Sequence, residues 1–580
     1  MKILNKIKIL ALLAPMALMT VGCTDVEDYP DGRLSRQDVF QNAKRVAGFL
    51  NNCYSYVGDS RLDNLSNNSM LASCSDEAHD VMDLRNGAPF QWVSGYASSY
   101  SNPISGYDWA YYYRGINQCN IFLENIDNAT VNREQDRIDY KAQAHGLRAF
   151  YYLQLIKKYG GVPIILKEIT DNSEYAKVRR ASFSECVRQI IADCRVVLQD
   201  DNKLSWFSGA TNVESFRYQF SKGMACAIMS EAALYAASPL NNDGSFTWAE
   251  AEKVTKEALD LCIANGYSLF TRKPAADQAY SSYDLYFISR SDVGGVNDKE
   301  TIMEARNQLS IWSYSGLPTV LGQSRAGTCP SQELVDTYET IDGKTPILGY
   351  KDAEHLQPII NPEATLYDEK NPYKNRDPRL QASIYYNGAT AGVNSGDVID
   401  TKAGGNCEIS SSSVRNTRTG YYLRKFCSPK SNRTANQDGY YKVFRLAELF
   451  LNYAEAAGEA ATGAVPEEAV EAVNLVRERV GMPDLPVGLK KDDFRRRVRN
   501  ERRVEFAFEE QRFYDVRRWN ILDQTDKVVT GMRPTDNGYE RFVVSERVAY
   551  TSKYLRFPIP GDEAIRFKNY TGIDFQNAGW

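Results

Sequence analysis

The chain has 580 residues, 43% hydrophobic and 25% charged, with a formal net charge of −5. That is the composition of a folded globular protein, and the weak negative charge excludes a broad basic surface for nucleic acid. Eleven Cys and only three His (His79, His145, His355) occur, without C-x-x-C or H-E-x-x-H spacing, and glycine-rich phosphate loops are absent. No metal and no cofactor is therefore expected.

The chain opens with Lys2, Lys6 and Lys8, followed by an apolar stretch from Ile9 to Val21 that leads through Gly22 into Cys23. This stretch is too short for a comfortable membrane span and is followed by Asp25, Glu27 and Asp28. It resembles a bacterial lipobox, with Thr20 where Leu is usual. The expectation is a signal peptide over residues 1–22, with Cys23 acylated as the lipid anchor. The acidic run resembles the surface-export signal of Bacteroidetes lipoproteins. The other ten Cys are scattered, several within apolar helical patterns that suit buried free thiols.

Ala43, Val46, Ala47, Leu50, Cys53, Tyr54 and Val57 recur at spacings of three and four, which predicts a helix. Residues 58–106 are polar and rich in Gly, Ser and Asn, and read as long loops. Further helices are predicted at 109–126, 140–158, 183–198, 218–237 and 248–265; Gly160, Gly161 and Pro163 stop the second of these. From 267 to 440 apolar periodicity fades, and so long an irregular stretch is more often functional than idle. Helices return at 443–460, after Pro466, and at 492–516, before an extended tail from 550 to Trp580. The expected architecture is mainly α, one domain over 23–580. It comprises an N-terminal helical part (23–266), a loop-rich ligand-binding part (267–440) and a C-terminal helical part with its tail (441–580). Ala at close-contact positions of consecutive helix pairs points to tetratricopeptide-like hairpins.

On the helix predicted for 492–516, Phe494, Val498, Glu501, Glu505 and Phe508 share one face. Carboxylates on an apolar stripe need partners. Arg502, Arg503, Arg512, Arg517 and Arg518 are near in sequence, and Arg148 or Arg445 could reach across. The competing interpretation is a general acid/base pair. Asp377 and Arg379 read as turn and packing residues. Gly322-Gln323-Ser324-Arg325-Ala326-Gly327 misses the G-x-S-x-G spacing by one place, so no nucleophile elbow is expected.

Five groups of residues occur in a telling order: Ala144-His145-Gly146-Leu147-Arg148-Ala149-Phe150-Tyr151-Tyr152 with Tyr159-Gly160-Gly161-Val162-Pro163; Arg376-Asp377-Pro378-Arg379-Leu380; Phe444-Arg445-Leu446-Ala447-Glu448 with Tyr453-Ala454-Glu455-Ala456; Asn474 to Arg479, Asn500 to Arg503 and Phe513 to Trp519; and Phe557-Pro558-Ile559-Pro560 with Gln576-Asn577-Ala578-Gly579. Together they resemble the RagB/SusD family of nutrient-binding outer-membrane lipoproteins. The resemblance implies a SusD-like α-helical scaffold with tetratricopeptide-like hairpins and a loop-rich insertion. It also implies a binding protein rather than an enzyme, facing the cell surface. Such proteins are lids on a SusC-like TonB-dependent transporter and pass it bound oligosaccharide. The lipid anchor would be the only membrane contact. A non-glycan nutrient such as peptide, or a glycoside hydrolase with two carboxylates about 5–10 Å apart, are the alternatives.

In this family the ligand site is built from loops after the first helix and in the middle insertion. The first region holds Asp76, Glu77, Arg85, Trp92 and Tyr96; the second holds Tyr280, Tyr283, Tyr286, Trp312, Tyr314 and Arg325. Sugars stack a flat aromatic face and take hydroxyl hydrogen bonds from Asp, Asn or Arg. Asp76, Arg85, Trp92, Tyr96, Trp312 and Tyr314 are the expected ligand-binding residues, with Trp92 and Trp312 as anchors.

Overall fold

The computed structural model describes residues 34–58, 69–106, 108–207, 219–273, 281–289, 298–305, 316–322, 325–392, 397–428 and 441–580. Cys23, Tyr280, Trp312 and Tyr314 lie outside the described residues.

The long helices are α1 (Ala43–Cys53), α2 (Trp109–Asn125), α3 (Glu134–Tyr159), α4 (Phe183–Val197), α5 (Lys222–Ala237), α6 (Trp248–Ala264), α7 (Leu446–Ala460), α8 (Glu467–Glu478), α9 (Lys491–Glu505), α10 (Gln511–Arg518) and α11 (Gly561–Thr571). Five of these eleven starts follow from a capping side chain: Asn42, Asp108, Ser182, Ser221 and Thr247 each accept a first-turn backbone N–H. Ser182–Glu185 and Thr247–Glu250 close reciprocal capping boxes. Helix α3 begins earlier than its apolar repeat suggests, because Asp136 accepts the Arg133 amide at 3.2 Å. It stops at Gly160, whose φ of 78° suits glycine.

Helices α2 to α7 pack each against the next of these long helices, and α7 also meets α5 and α9. This serial stacking is the tetratricopeptide-like arrangement. Helix α5 is its buried member: all sixteen residues are enclosed, seven of them Ala or Gly on a helix that has no polar face to offer solvent. The main core runs from Phe40 to Phe575, so both ends of the described chain share it. A second core gathers Tyr283, Tyr286, Leu334, Leu380, Tyr421, Phe508 and Met532. Helix α9 joins the two, giving Phe494 and Val498 to the first and Val504 to the second.

Short strands stitch the loop-rich part to its flanks, β1 (Ala78–Asp80), β2 (Thr301–Glu304), β3 (Thr328–Pro330) and β4 (Lys442–Arg445), while β5 (Val528–Thr535) and β6 (Gly538–Glu546) form a hairpin within the C-terminal part. Strand β1 pairs antiparallel with β3, placing His79 opposite Cys329. Strand β2 pairs with β4, Thr301 opposite Arg445. That pairing is why the helix expected from 443 begins only at Leu446.

Two further expectations are corrected. The helix expected over 492–516 is two, α9 and α10, separated by Phe508 and Glu510 at φ of 62° and 64°. Non-glycine residues enter that region only when surroundings compel them, and here the Phe508 amide turns to donate to Glu77 Oε1 at 3.3 Å. The tail from 550 is not all extended, since it carries α11, with Asp562 and Glu563 in its first turn and Gly572 at its end. The β5–β6 hairpin, closed around Asp536-Asn537, was not anticipated.

Candidate functional site

The two loop regions named from the sequence meet through the β1–β3 pairing. Two main-chain bonds extend it, Val81 N to Gly327 O at 3.1 Å and Ser331 N to Glu77 O at 2.8 Å. After β1 the chain makes a 3-10 turn at Val81–Arg85, capped by Asp80, whose carboxylate accepts from Met82 N at 2.7 Å. Asn86 takes the left-handed conformation and reverses the chain into a short helix at Ala88–Val93. Gly87 is needed at that reversal, because a Cβ there would lie 2.7 Å from Met82 Cβ.

This short helix has two opposite faces. Its inner face carries Trp92, which is 0% exposed. The Trp92 ring lies 5.3 Å from Tyr554, 5.2 Å from Phe557, and 6.3 Å from both Phe513 and Trp580. The expectation that Trp92 stacks a ligand is therefore corrected: its faces are spent on the core. The outer side carries Phe90 and, just beyond, Tyr96, which is 66% exposed and edge-on to Phe90 at 6.2 Å. Arg85 and Leu84 are exposed on the same stretch. Half-buried Arg325, from the second region, is held within electrostatic range of Asp80 and Arg85.

Asp76 is also corrected from ligand group to cross-link. Its carboxylate accepts from Arg512 Nε and Nη2, each at 2.8 Å, and pairs with Arg503 at 2.8 Å. Burial pushes this carboxyl up, but the two guanidinium groups outweigh burial and bring it down to about 2. Its neighbour Glu77 goes the other way, to about 8, through burial and the adjacent Asp76 charge. Asp83 braces the turn beneath Arg85, accepting from Arg418 at 2.9 Å and facing His79 Nε2 at 3.1 Å. Tyr283 and Tyr286 are core residues, with hydroxyls bound to Glu505 O at 2.9 Å and Thr301 Oγ1 at 3.0 Å.

Of the expected ligand residues, then, Arg85 and Tyr96 are presented outward, joined by Phe90 and Arg325. Phe90 and Leu84 had not been singled out; the signal was their position on the outer side of a turn and helix too short for periodicity to register.

The acidic pair of α9 is structural. Glu501 accepts from Arg379 Nη1 at 2.5 Å and Arg477 Nη1 at 3.0 Å. Glu505 accepts from Arg379 Nη1 at 2.9 Å, Arg445 Nη1 at 2.7 Å and Arg479 Nη2. Burial raises the Glu505 carboxyl, yet Arg479, Arg445 and Arg379 hold it far below the usual carboxylate range. Arg445 was an expected partner. Arg148 instead serves Asp193, at 2.8 and 2.9 Å, and Arg379 is more than a packing residue. Among the described residues no group of His, Cys, Asp or Glu could hold a metal ion.

A sequence profile described as the SusD family matches residues 288–580, and one described as starch-binding associating with outer membrane matches residues 32–199. SusD-like protein P2 of Formosa agariphila is 23% identical over 562 residues, 96% of each chain. Among solved structures, a SusD-like protein from Bacteroides fragilis superposes with a TM-score of 0.73 at 25% identity, covering 93% of this chain and 98% of that one. Surface glycan-binding protein A from Bacteroides fluxus superposes with a TM-score of 0.57 at 19% identity, covering 93% and 100%.

Proposed function

Because this chain belongs to the SusD family, we propose that it is a glycan-binding lipoprotein of the outer membrane, anchored by Cys23 and facing the cell surface. It captures an oligosaccharide or polysaccharide and delivers it to a SusC-like TonB-dependent transporter, without cutting it. Residues 23–580 act as one unit, which the shared core from Phe40 to Phe575 supports. The names of the relatives support the ligand class.

The observation that carries the site assignment is the exposure of Arg85 and Tyr96, with half-buried Phe90 edge-on to Tyr96 and Arg325 within electrostatic range of Arg85. The Tyr96 ring supplies a flat apolar face for the C–H side of a sugar. The two guanidinium groups supply planar donors for hydroxyl oxygens. Trp312 and Tyr314, outside the described residues, remain proposed ligand residues on the sequence argument.

Tyr96→Ala is expected to weaken binding of a glycan-array hit at least tenfold, about 1.4 kcal/mol, with an unchanged melting temperature because the ring is mostly in solvent. Calorimetric titration reads the affinity and circular dichroism the fold. A folded Tyr96→Ala protein that binds like wild type places the ligand elsewhere. Absence of any glycan binding by the wild type removes the ligand class.

Cys23→Ala is expected to release the protein from membranes after a carbonate wash, in cells lacking the partner transporter. In this reading the acyl chains on Cys23 supply the membrane affinity. Equal retention of mutant and wild type contradicts the anchor.

A further inference from the structure

Beside the C-terminal tail lies a cavity of about 530 Å3, lined in part by Arg180, Lys553, Arg556, Asn241, Asn242 and Asn577. It shares no residue with the surface around Tyr96 and stands independently of the function proposed above. Three basic side chains converge on it, and among the described residues none of the three pairs with a carboxylate. Elsewhere in the protein Arg379, Arg445 and Arg518 each bind carboxylates directly.

The two arginines differ in what they have left to give. Arg180 donates to Gly161 O at 2.7 Å, Tyr159 O at 2.8 Å, Phe575 O at 2.8 Å and Asn577 Oδ1 at 2.6 Å. A guanidinium has five N–H groups, so Arg180 is mainly a brace that ties the tail to the end of α3. Arg556 donates only through Nη2, to Leu240 O at 3.2 Å and Asn241 Oδ1 at 3.0 Å. Its Nε and Nη1 donors have no acceptor among the described residues. The chain makes room for this group: a Cβ on residue 160 would fall 1.6 Å from Arg556 Nη1, which only the glycine at that position avoids.

The acid in the lining does not neutralise them. Asp243 accepts from Ser184 Oγ at 2.8 Å, Ser245 N at 2.9 Å and Ser245 Oγ at 2.6 Å. Burial and the mutual repulsion of Arg180 and Arg556 pull the Arg556 guanidinium down to about 10, the response of a cation held without a counter-charge. The N-terminus of α4, at Ser182 and Phe183, also borders the cavity and adds its positive dipole end.

We propose that this cavity is a second ligand site that takes the acidic group of a small carboxylated or sulfated saccharide, with Arg556 as the anion-binding residue and Arg180 and Lys553 as supporting charge. The volume is that of a small-molecule site, which typically spans about 300–1,000 Å3, and exceeds what a bare ion fills. The walls include the carbon of Phe183 and Leu555. Both N–H groups of Asn577 are spent on Tyr159 O and Phe557 O, but Asn241 and Asn242 each give one N–H to a main-chain carbonyl, at Tyr235 and Ala237, which leaves each a second for a ligand hydroxyl.

The test is calorimetric titration of the full chain with glucuronate, glucose 6-sulfate, glucose and inorganic sulfate. At least one acidic saccharide is expected to bind, glucose is not, and added salt is expected to weaken binding. Which acidic saccharide binds identifies the anion as carboxylate or sulfate. Arg556→Gln is expected to reduce the affinity at least tenfold. Since Arg556 also holds Leu240 and Asn241, Ala578→Glu provides the second variant: it places a negative charge on an exposed lining residue outside that brace, and is expected to weaken binding with an unchanged melting temperature. No binding by either acidic saccharide, equal binding of glucose, binding of inorganic sulfate alone, or full affinity in folded Ala578→Glu protein overturns the proposal.

Discussion

Replacing Trp92 by Ala is expected to destabilise the protein by about 3–5 kcal/mol, the range for truncating a buried large aromatic. The ring is fully enclosed and touches four aromatic residues drawn from α10, the tail and the C-terminus. Its loss leaves a cavity where the short helix at Ala88–Val93 docks on that cluster, so loosening should spread to Tyr96 and weaken ligand binding as a secondary effect. Trp92→Phe separates packing from polarity. The indole Nε1 is buried with no acceptor among the described residues, so its removal breaks no hydrogen bond and the Phe variant is expected to retain most of the stability. Denaturant titration of the three proteins measures this. A Trp92→Ala protein as stable as wild type but unable to bind glycan would return Trp92 to the ligand site.

Glu505→Ala is the second large effect. Removing this carboxylate strands Arg379, Arg445 and Arg479 around an uncompensated gap, and breaking a buried pair in this way costs about 3–5 kcal/mol. For a chain of this size unfolding as one unit, that lowers the melting temperature by roughly 2–4 °C. The pH response has a definite sign. The folded carboxyl is held below its unfolded value, so its contribution is fully present above about pH 4.3 and is lost as pH falls through the folded value. Glu505→Ala should therefore be less stable than wild type at neutral pH, and the gap should narrow in acid. Thermal melts at neutral and acid pH decide it; an unshifted melting temperature with lost glycan binding would make Glu505 a site residue.

The helices were legible because the signals that make them are local. The helices predicted at 183–198 and 248–265 match α4 and α6 within a residue of their observed ends. Two missed elements also carried local signals: Asn537-Gly538 marks a hairpin turn, and Pro560 with Asp562, Glu563 and Gly572 frames α11. The break between α9 and α10 had none. Ala507-Phe508-Glu509-Glu510 contains neither Gly nor Pro, and the turn exists because Glu77, more than four hundred residues earlier, claims the Phe508 amide.

Sequence by itself determined the helical scaffold, the family and the need for partners at Glu501 and Glu505, since each follows from spacing along one helix or from the order of short motifs. Only the tertiary structure decided which aromatic is buried and which is presented. Trp92 and Tyr96 stand four residues apart in similar polar surroundings, and nothing local separates them. Trp92 is buried because residues 513, 554, 557 and 580 converge on it, while Tyr96, beyond the end of that short helix, is left in solvent. The same holds for the charges. Arg445 reaches Glu505 across 60 positions and Glu300 across 145, because a guanidinium seeks the nearest buried carboxylate in space, and that distance is set by how the layers pack.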